Sequence, residues 1–110
     1  MQLYRAECPV QGARDMADVI VRITVKVKKA VAQLEQRQHL ERILELCVEI
    51  HELEIEADRI FRTVRAQLFD NPPDMAYVIK WHEIYQLMED ATDRCDDAAN
   101  VLEGIVIKYA

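Results

Sequence analysis

Serine is missing altogether, glycine occurs only twice and proline three times among 110 residues. So few turn-forming residues leave no room for the many reversals of a β-sandwich or barrel. The lack of serine, with none of the cysteines beside a histidine in the chain, removes most covalent catalytic mechanisms. Cys8, Cys47 and Cys95 are odd in number and include no CxxC pair. They fit neither a disulfide framework nor a zinc ribbon, and are expected to pack as small reduced apolar groups. Nor is there an excess of base: 14 Lys+Arg face 20 Asp+Glu, a net charge of −6, which argues against nucleic acid as a partner. No stretch approaches the roughly 18 uninterrupted apolar residues of a membrane span. The segment Met1 to Asp15 carries Arg5, Glu7 and Arg14 and no apolar block, so no signal peptide is read there and the expected location is cytoplasmic.

What the chain does have is 51% hydrophobic residues in helical order, enough for one modest core. From about residue 15 to 35, Met16, Ile20, Ile23, Val27, Val31 and Leu34 recur at steps of three and four. Val21, Ile23, Val25 and Val27 also alternate with polar residues as in a strand, but no second strand is visible to pair with it. A second stripe, Leu40, Ile43, Cys47, Ile50, Ala57, Phe61 and Leu68, marks a helix over about 40–69. The two stripes would lie on nearly opposite faces of one continuous helix, so a turn around Gln36 to His39 is expected, giving two antiparallel helices. Asp70-Asn71-Pro72-Pro73-Asp74 is a clear boundary, with Asp74 placed to cap a third helix over about 75–108. Trp81, Tyr85, Met88, Cys95, Ala99, Leu102, Val106 and Tyr109 form its apolar side. The expected fold is a single all-α domain over residues 1–110, a three-helix antiparallel bundle.

Acidic residues break this pattern. Glu45, Glu52 and Glu56 fall opposite the second stripe, but Glu54 sits near its middle, with Asp58 one turn on and His51 flanking the same side. A carboxylate aimed at a core is costly unless something charged satisfies it, and two at i and i+4 also repel. Either a basic side chain neutralises them, Arg65 on the same stripe being a candidate, or a cation does. On the third helix Glu89, Asp93 and Asp96 share a side with His82 and Asn100, at the edge of the apolar surface where a solvated face is the plainer reading. Glu54-x-x-x-Asp58 and Glu89-x-x-x-Asp93 repeat one pattern, however. Side by side, two such helices could converge four carboxylates on a hard cation such as Mg²⁺, Mn²⁺, Ca²⁺ or ferric iron, with His51 or His82 as a possible nitrogen donor.

At these residues the chain resembles the PhoU-like family of phosphate-transport regulators, and within it the accessory proteins of Pit-type inorganic phosphate transporters. The resemblance is carried by His51-Glu52-Leu53-Glu54-Ile55-Glu56-Ala57-Asp58-Arg59-Ile60-Phe61-Arg62, by Leu68-Phe69 and by Ile79-Lys80-Trp81-His82-Glu83-Ile84-Tyr85. It continues through Glu89-Asp90-Ala91-Thr92-Asp93-Arg94-Cys95-Asp96-Asp97-Ala98-Ala99-Asn100 and Glu103-Gly104-Ile105-Val106. The resemblance implies a three-helix repeat with Glu54, Asp58, Glu89 and Asp93 as metal ligands, with iron and zinc among the metals, beside the manganese or magnesium that oxygen donors suit. It also implies a regulatory role without chemical turnover, exercised on a Pit-type transporter or a phosphate-signalling protein, with membrane contact only through that transporter. Such proteins carry two successive repeats and this chain resembles the second alone. It is therefore either a half-length form, expected to dimerise into a six-helix arrangement, or a remnant of a longer chain.

One rival is an enzyme, an all-α nucleotide pyrophosphohydrolase of the MazG type that holds Mg²⁺ against a triphosphate. Glu49-x-x-Glu52 matches its acidic signature in part, but the later ExxD element is missing. A ferritin-like di-iron site is disfavoured because no Glu-x-x-His occurs. A helical dimer without metal is the plainest alternative.

Overall fold

The computed structural model describes residues 2–36 and 39–109, with side chains in the first helix from Pro9 onward. Three helices, α1 (Gln2–Gln36), α2 (Leu40–Leu68) and α3 (Met75–Tyr109), make an all-α bundle in which every pair packs together. The bundle measures 54 × 19 × 16 Å. Its length is that of α1 and α3, 35 residues each, at the helical rise of about 1.5 Å per residue.

Ion pairs fix α1 antiparallel to α2: Lys26 reaches Glu49 at 3.6 Å and Arg22 reaches Glu56 at 3.1 Å. A second set of contacts fixes α2 antiparallel to α3, with Cys47 donating to the Ala99 carbonyl at 3.4 Å and Phe61 facing His82 further along. The core between them holds Met16, Val19, Ile23 and Ala30 from α1, Ile43, Leu46, Ile50, Leu53 and Ala57 from α2, and Tyr85, Ala99 and Leu102 from α3. The Val21–Val27 segment is helical throughout, with Ile23 buried while Val21 and Val25 point outward. Cys47 is buried and Cys95 half-buried, and burial pushes both thiols up, Cys47 to about 11, so they behave as small apolar groups. Cys8 lies outside the described side chains.

The connections agree with the turn chemistry. His39 takes a left-handed backbone (φ 56°) just before α2, and the Arg42 N–H donates to its carbonyl at 2.9 Å. Arg37 and Gln38 of that turn lie outside the described residues. Asn71 supplies the second positive φ, 55°, in the link ahead of the prolines. Asp74 caps α3 by accepting the Tyr77 N–H at 2.8 Å, an interaction worth about 1 kcal/mol.

The start of α1 differs from the reading of the sequence. The helix begins at Gln2, well before Asp15, and runs through Pro9. Its early turns are held from outside: the Tyr85 hydroxyl donates to the Pro9 carbonyl in the buried interior. Gly12 makes the approach possible, because a Cβ there would collide with the Tyr85 hydroxyl and stand 2.6 Å from Val64 Cγ2. A contact 76 residues distant in sequence leaves no periodic stripe to read. Val31 and Tyr109 of the expected stripes are exposed, at the other end of the bundle, while Leu46, Leu53, Val64 and Val78 add to the core along its length.

Candidate metal centre

Glu54 points from α2 toward α3 because it shares the face of Ile50, Ala57 and Phe61 that covers the core. Glu89 and Asp93, one turn apart on α3, meet it there. Oxygens of Glu54, Glu89 and Asp93 lie within 4.8 Å of one another. Donors around a single ion can stand no further apart than twice the metal–oxygen distance, about 4–5 Å for hard cations, so the three side chains are close enough to share an ion after small adjustments. Glu89 is only 7% exposed, and no hydrogen-bond partner reaches its Oε2 among the described residues. The edge-of-surface reading of Glu89 is thereby corrected: Thr92 and Tyr85 are buried beside it on α3, and the solvated face lies further round the helix.

The electrostatics tell the same story. Burial pushes the Glu89 carboxyl up to about 7, with the charges of Asp93, Asp58, Glu54 and Asp90 adding to the effect. Glu54 is raised too, first by burial, then by its hydrogen bond with Asp93 and the nearby charges of Asp96, Asp93 and Asp58. The neighbouring carboxylates make ionisation of Glu89 and Glu54 harder, as expected where a positive charge is wanting.

Among the described residues no basic side chain pairs with Glu54, Glu89 or Asp93. Arg65, the candidate counter-ion, stacks its guanidinium over the Phe61 ring at 5.5 Å. Arg62 instead binds Asp58 at 3.1 Å, one turn along the exposed side of α2. Of the four carboxylates singled out in the sequence, three converge. Asp58 stands outside the trio with its arginine, near enough to raise Glu54 and Glu89. The two histidines are elsewhere: His82 packs its ring 6.1 Å from that of Phe61, and His51 is engaged by Asp96 and Glu103 of α3. That last arrangement went unread in the sequence, where the only signal is the seven-residue spacing of Asp96 and Glu103 on one face of α3.

An all-oxygen donor set with one orphaned buried oxygen fits a hard cation such as Mg²⁺, Mn²⁺ or ferric iron, and suits zinc less, which favours nitrogen and sulfur. Glu54, Glu89 and Asp93 would hold the ion, which would neutralise their mutual repulsion. Among the described residues no helix is long and apolar enough to cross a membrane.

No family model matches the chain, and no solved structure matches it. The UPF0111 protein YkaA of Bacillus subtilis (strain 168) is 38% identical over 63 residues. The match covers 57% of this chain and 31% of that protein, so the chain spans less than a third of the length of this curated relative.

Proposed function

We propose that the protein is a cation-binding regulatory module of inorganic phosphate transport, working by binding and without chemical turnover. The observation that carries the cation is the buried Glu89 carboxylate, packed against Glu54 and Asp93 with no basic partner among the described residues. The phosphate context is supported by the resemblance of the stretch around these residues to the PhoU-like accessory proteins of Pit-type transporters. In this reading α2 and α3 form a rigid frame whose charge the ion sets, and the partner is a Pit-type transporter or a phosphate-signalling protein met at the cytoplasmic face. The active form is a homodimer whose two bundles together make the six-helix body of a two-repeat protein.

Metal analysis of the purified protein, followed by Mn²⁺ titration of wild type and the Glu54→Ala/Asp93→Ala variant, tests the site. Removing two of three converging ligands should weaken Mn²⁺ binding by at least about 100-fold while the helical signal persists. Undiminished Mn²⁺ binding in that variant sinks the reading. Light scattering tests the dimer separately, where a well-behaved monomer refutes it.

A further inference from the structure

We infer that His51 is a proton-operated clasp between α2 and α3, closed at both nitrogens as the imidazolium and loosened to a single contact when it deprotonates. The two ring nitrogens face opposite ways, Nδ1 to Asp96 and Nε2 to Glu103 at 2.8 Å. A neutral imidazole has one donor and one acceptor nitrogen, whereas ionised carboxylates only accept. Both contacts are therefore made together only when both nitrogens carry protons. The same opposition of the nitrogens makes the group a poor metal site, since a single ion could be met by one of them at most.

The clasp spans two turns of α3 and sits one turn of helix from Glu54 on α2 and from Asp93 on α3. It thus fixes the register of the seam that carries the candidate metal centre, without belonging to it. The charged groups around it are those of one sign: Asp96 and Glu103 from α3 and Glu54 on its own helix. The charged residues of α1 that reach α2, Arg22 and Lys26, are engaged on its other side by Glu56 and Glu49. His51 is consequently the one cationic group among the described residues that bridges α2 and α3. Partial burial lowers its affinity for a proton, and the two carboxylates outweigh that, so its pKa is raised.

The sign follows from linkage. A histidine whose folded pKa lies above its unfolded value of about 6.5 contributes stability that is complete below that value. The contribution is lost as pH rises through the folded pKa. Glu89, pushed up to about 7, also makes stability fall with rising pH, but its part is exhausted once it has ionised. Comparison with a His51 variant separates the two.

The test is an NMR titration of the three histidines together with thermal melts from about pH 6 to 8.5 of the full chain, its His51→Gln variant and its Glu103→Gln variant. The His51 midpoint is expected above about 6.5 in wild type and lower in Glu103→Gln. His51→Gln should lower Tm by roughly 3–6 °C at the acid end and by much less at the alkaline end. A His51 midpoint at or below the free value overturns the clasp, as does one that Glu103→Gln leaves unmoved. So does a His51→Gln profile parallel to wild type. If His51→Gln fails to fold, the wild-type and Glu103→Gln titrations still decide.

Discussion

Helix α2 presents carboxylates to both of its neighbours, and the two seams treat them in opposite ways. Toward α1, Glu56 meets Arg22 and Glu49 meets Lys26, so acid faces base. Toward α3, Glu54 meets Glu89 and Asp93, and acid faces acid. The first pattern is ordinary pairing at the rim between side chains that remain partly exposed, which contributes little to stability. The second gathers like charge where one member is buried, and it persists only if a proton, the rest of the fold or a bound cation offsets the repulsion. The difference teaches that the chain's excess of acid is unevenly placed: α1 carries Arg22, Lys26, Lys28 and Lys29 in sequence, while α3 brings Glu89, Asp90, Asp93, Asp96 and Asp97. An acidic surface serving only solubility would have no reason to bury Glu89 among its own kind.

The sharpest way to break this comparison is Glu89→Gln, which keeps the shape and removes the charge. Glu89 has its carboxyl raised from 4.5 to about 7. The folded state therefore holds that proton more tightly than the unfolded chain, and cation-free stability falls as pH rises from about 4.5 to about 7, with the full penalty above. At pH 8 the variant should be more stable than cation-free wild type by about 2–3 kcal/mol, and its stability should be flatter below pH 7. Denaturant melts across that range measure both. Adding Mn²⁺ should stabilise wild type and leave the variant nearly unmoved. A variant that is less stable than wild type at pH 8, or equally responsive to Mn²⁺, would mean that the α2–α3 seam stores no repulsion.

The contrast between the seams was only half legible in the sequence. Helix identity and the link at Asp70–Asp74 could be read because periodicity and capping are local properties, and Asp74 does cap α3. The position of Glu54 toward the core could also be read, since Ile50, Ala57 and Phe61 define that face by spacing alone. The burial of Glu89 could not, because it depends on how far α2 rolls over the edge of α3. The same holds for partner choice: Arg65 shares the stripe of Glu54 but stands about three turns further along α2, where it stacks on Phe61, and Asp58 is left to Arg62. His51 was legible as a polar residue near the site, but its two carboxylates lie 45 and 52 residues away, beyond any local pattern. The early turns of α1 were hidden for a related reason, being held by Tyr85 across the bundle.

A smaller effect is expected at Glu49, whose Oε2 stands 3.6 Å from Lys26 and 3.9 Å from Arg42. These are attractions between charges at distances too long for hydrogen bonds, and that oxygen has no hydrogen-bond partner among the described residues. Lys26 and Glu49 are both partly exposed although that oxygen is itself covered, so solvent screens the pair only in part. Glu49→Gln should cost about 0.5–1 kcal/mol, read from denaturant midpoints at constant slope. A loss as large as the gain at Glu89 would show that the α1–α2 seam is held by charge after all.

The smallest change belongs to Arg22, which lies 3.0 Å from Asp18 on its own helix and 3.1 Å from Glu56 across the seam. Its side chain is 43% exposed, with Asp18 and Glu56 at 68% and 40%, so the three charges sit in water and each keeps much of its hydration. Arg22→Met preserves the aliphatic stem that covers the seam and removes only the guanidinium. The expected cost is at most about 0.5 kcal/mol in dilute buffer, shrinking further near 1 M salt as the Debye length falls to about 3 Å. The cation-dependent gain of wild type should be the same in this variant, because Arg22 works on the side of α2 turned away from Glu54. An Arg22→Met variant that lost Mn²⁺ binding would couple the two seams and erase the distinction between paired acid and gathered acid.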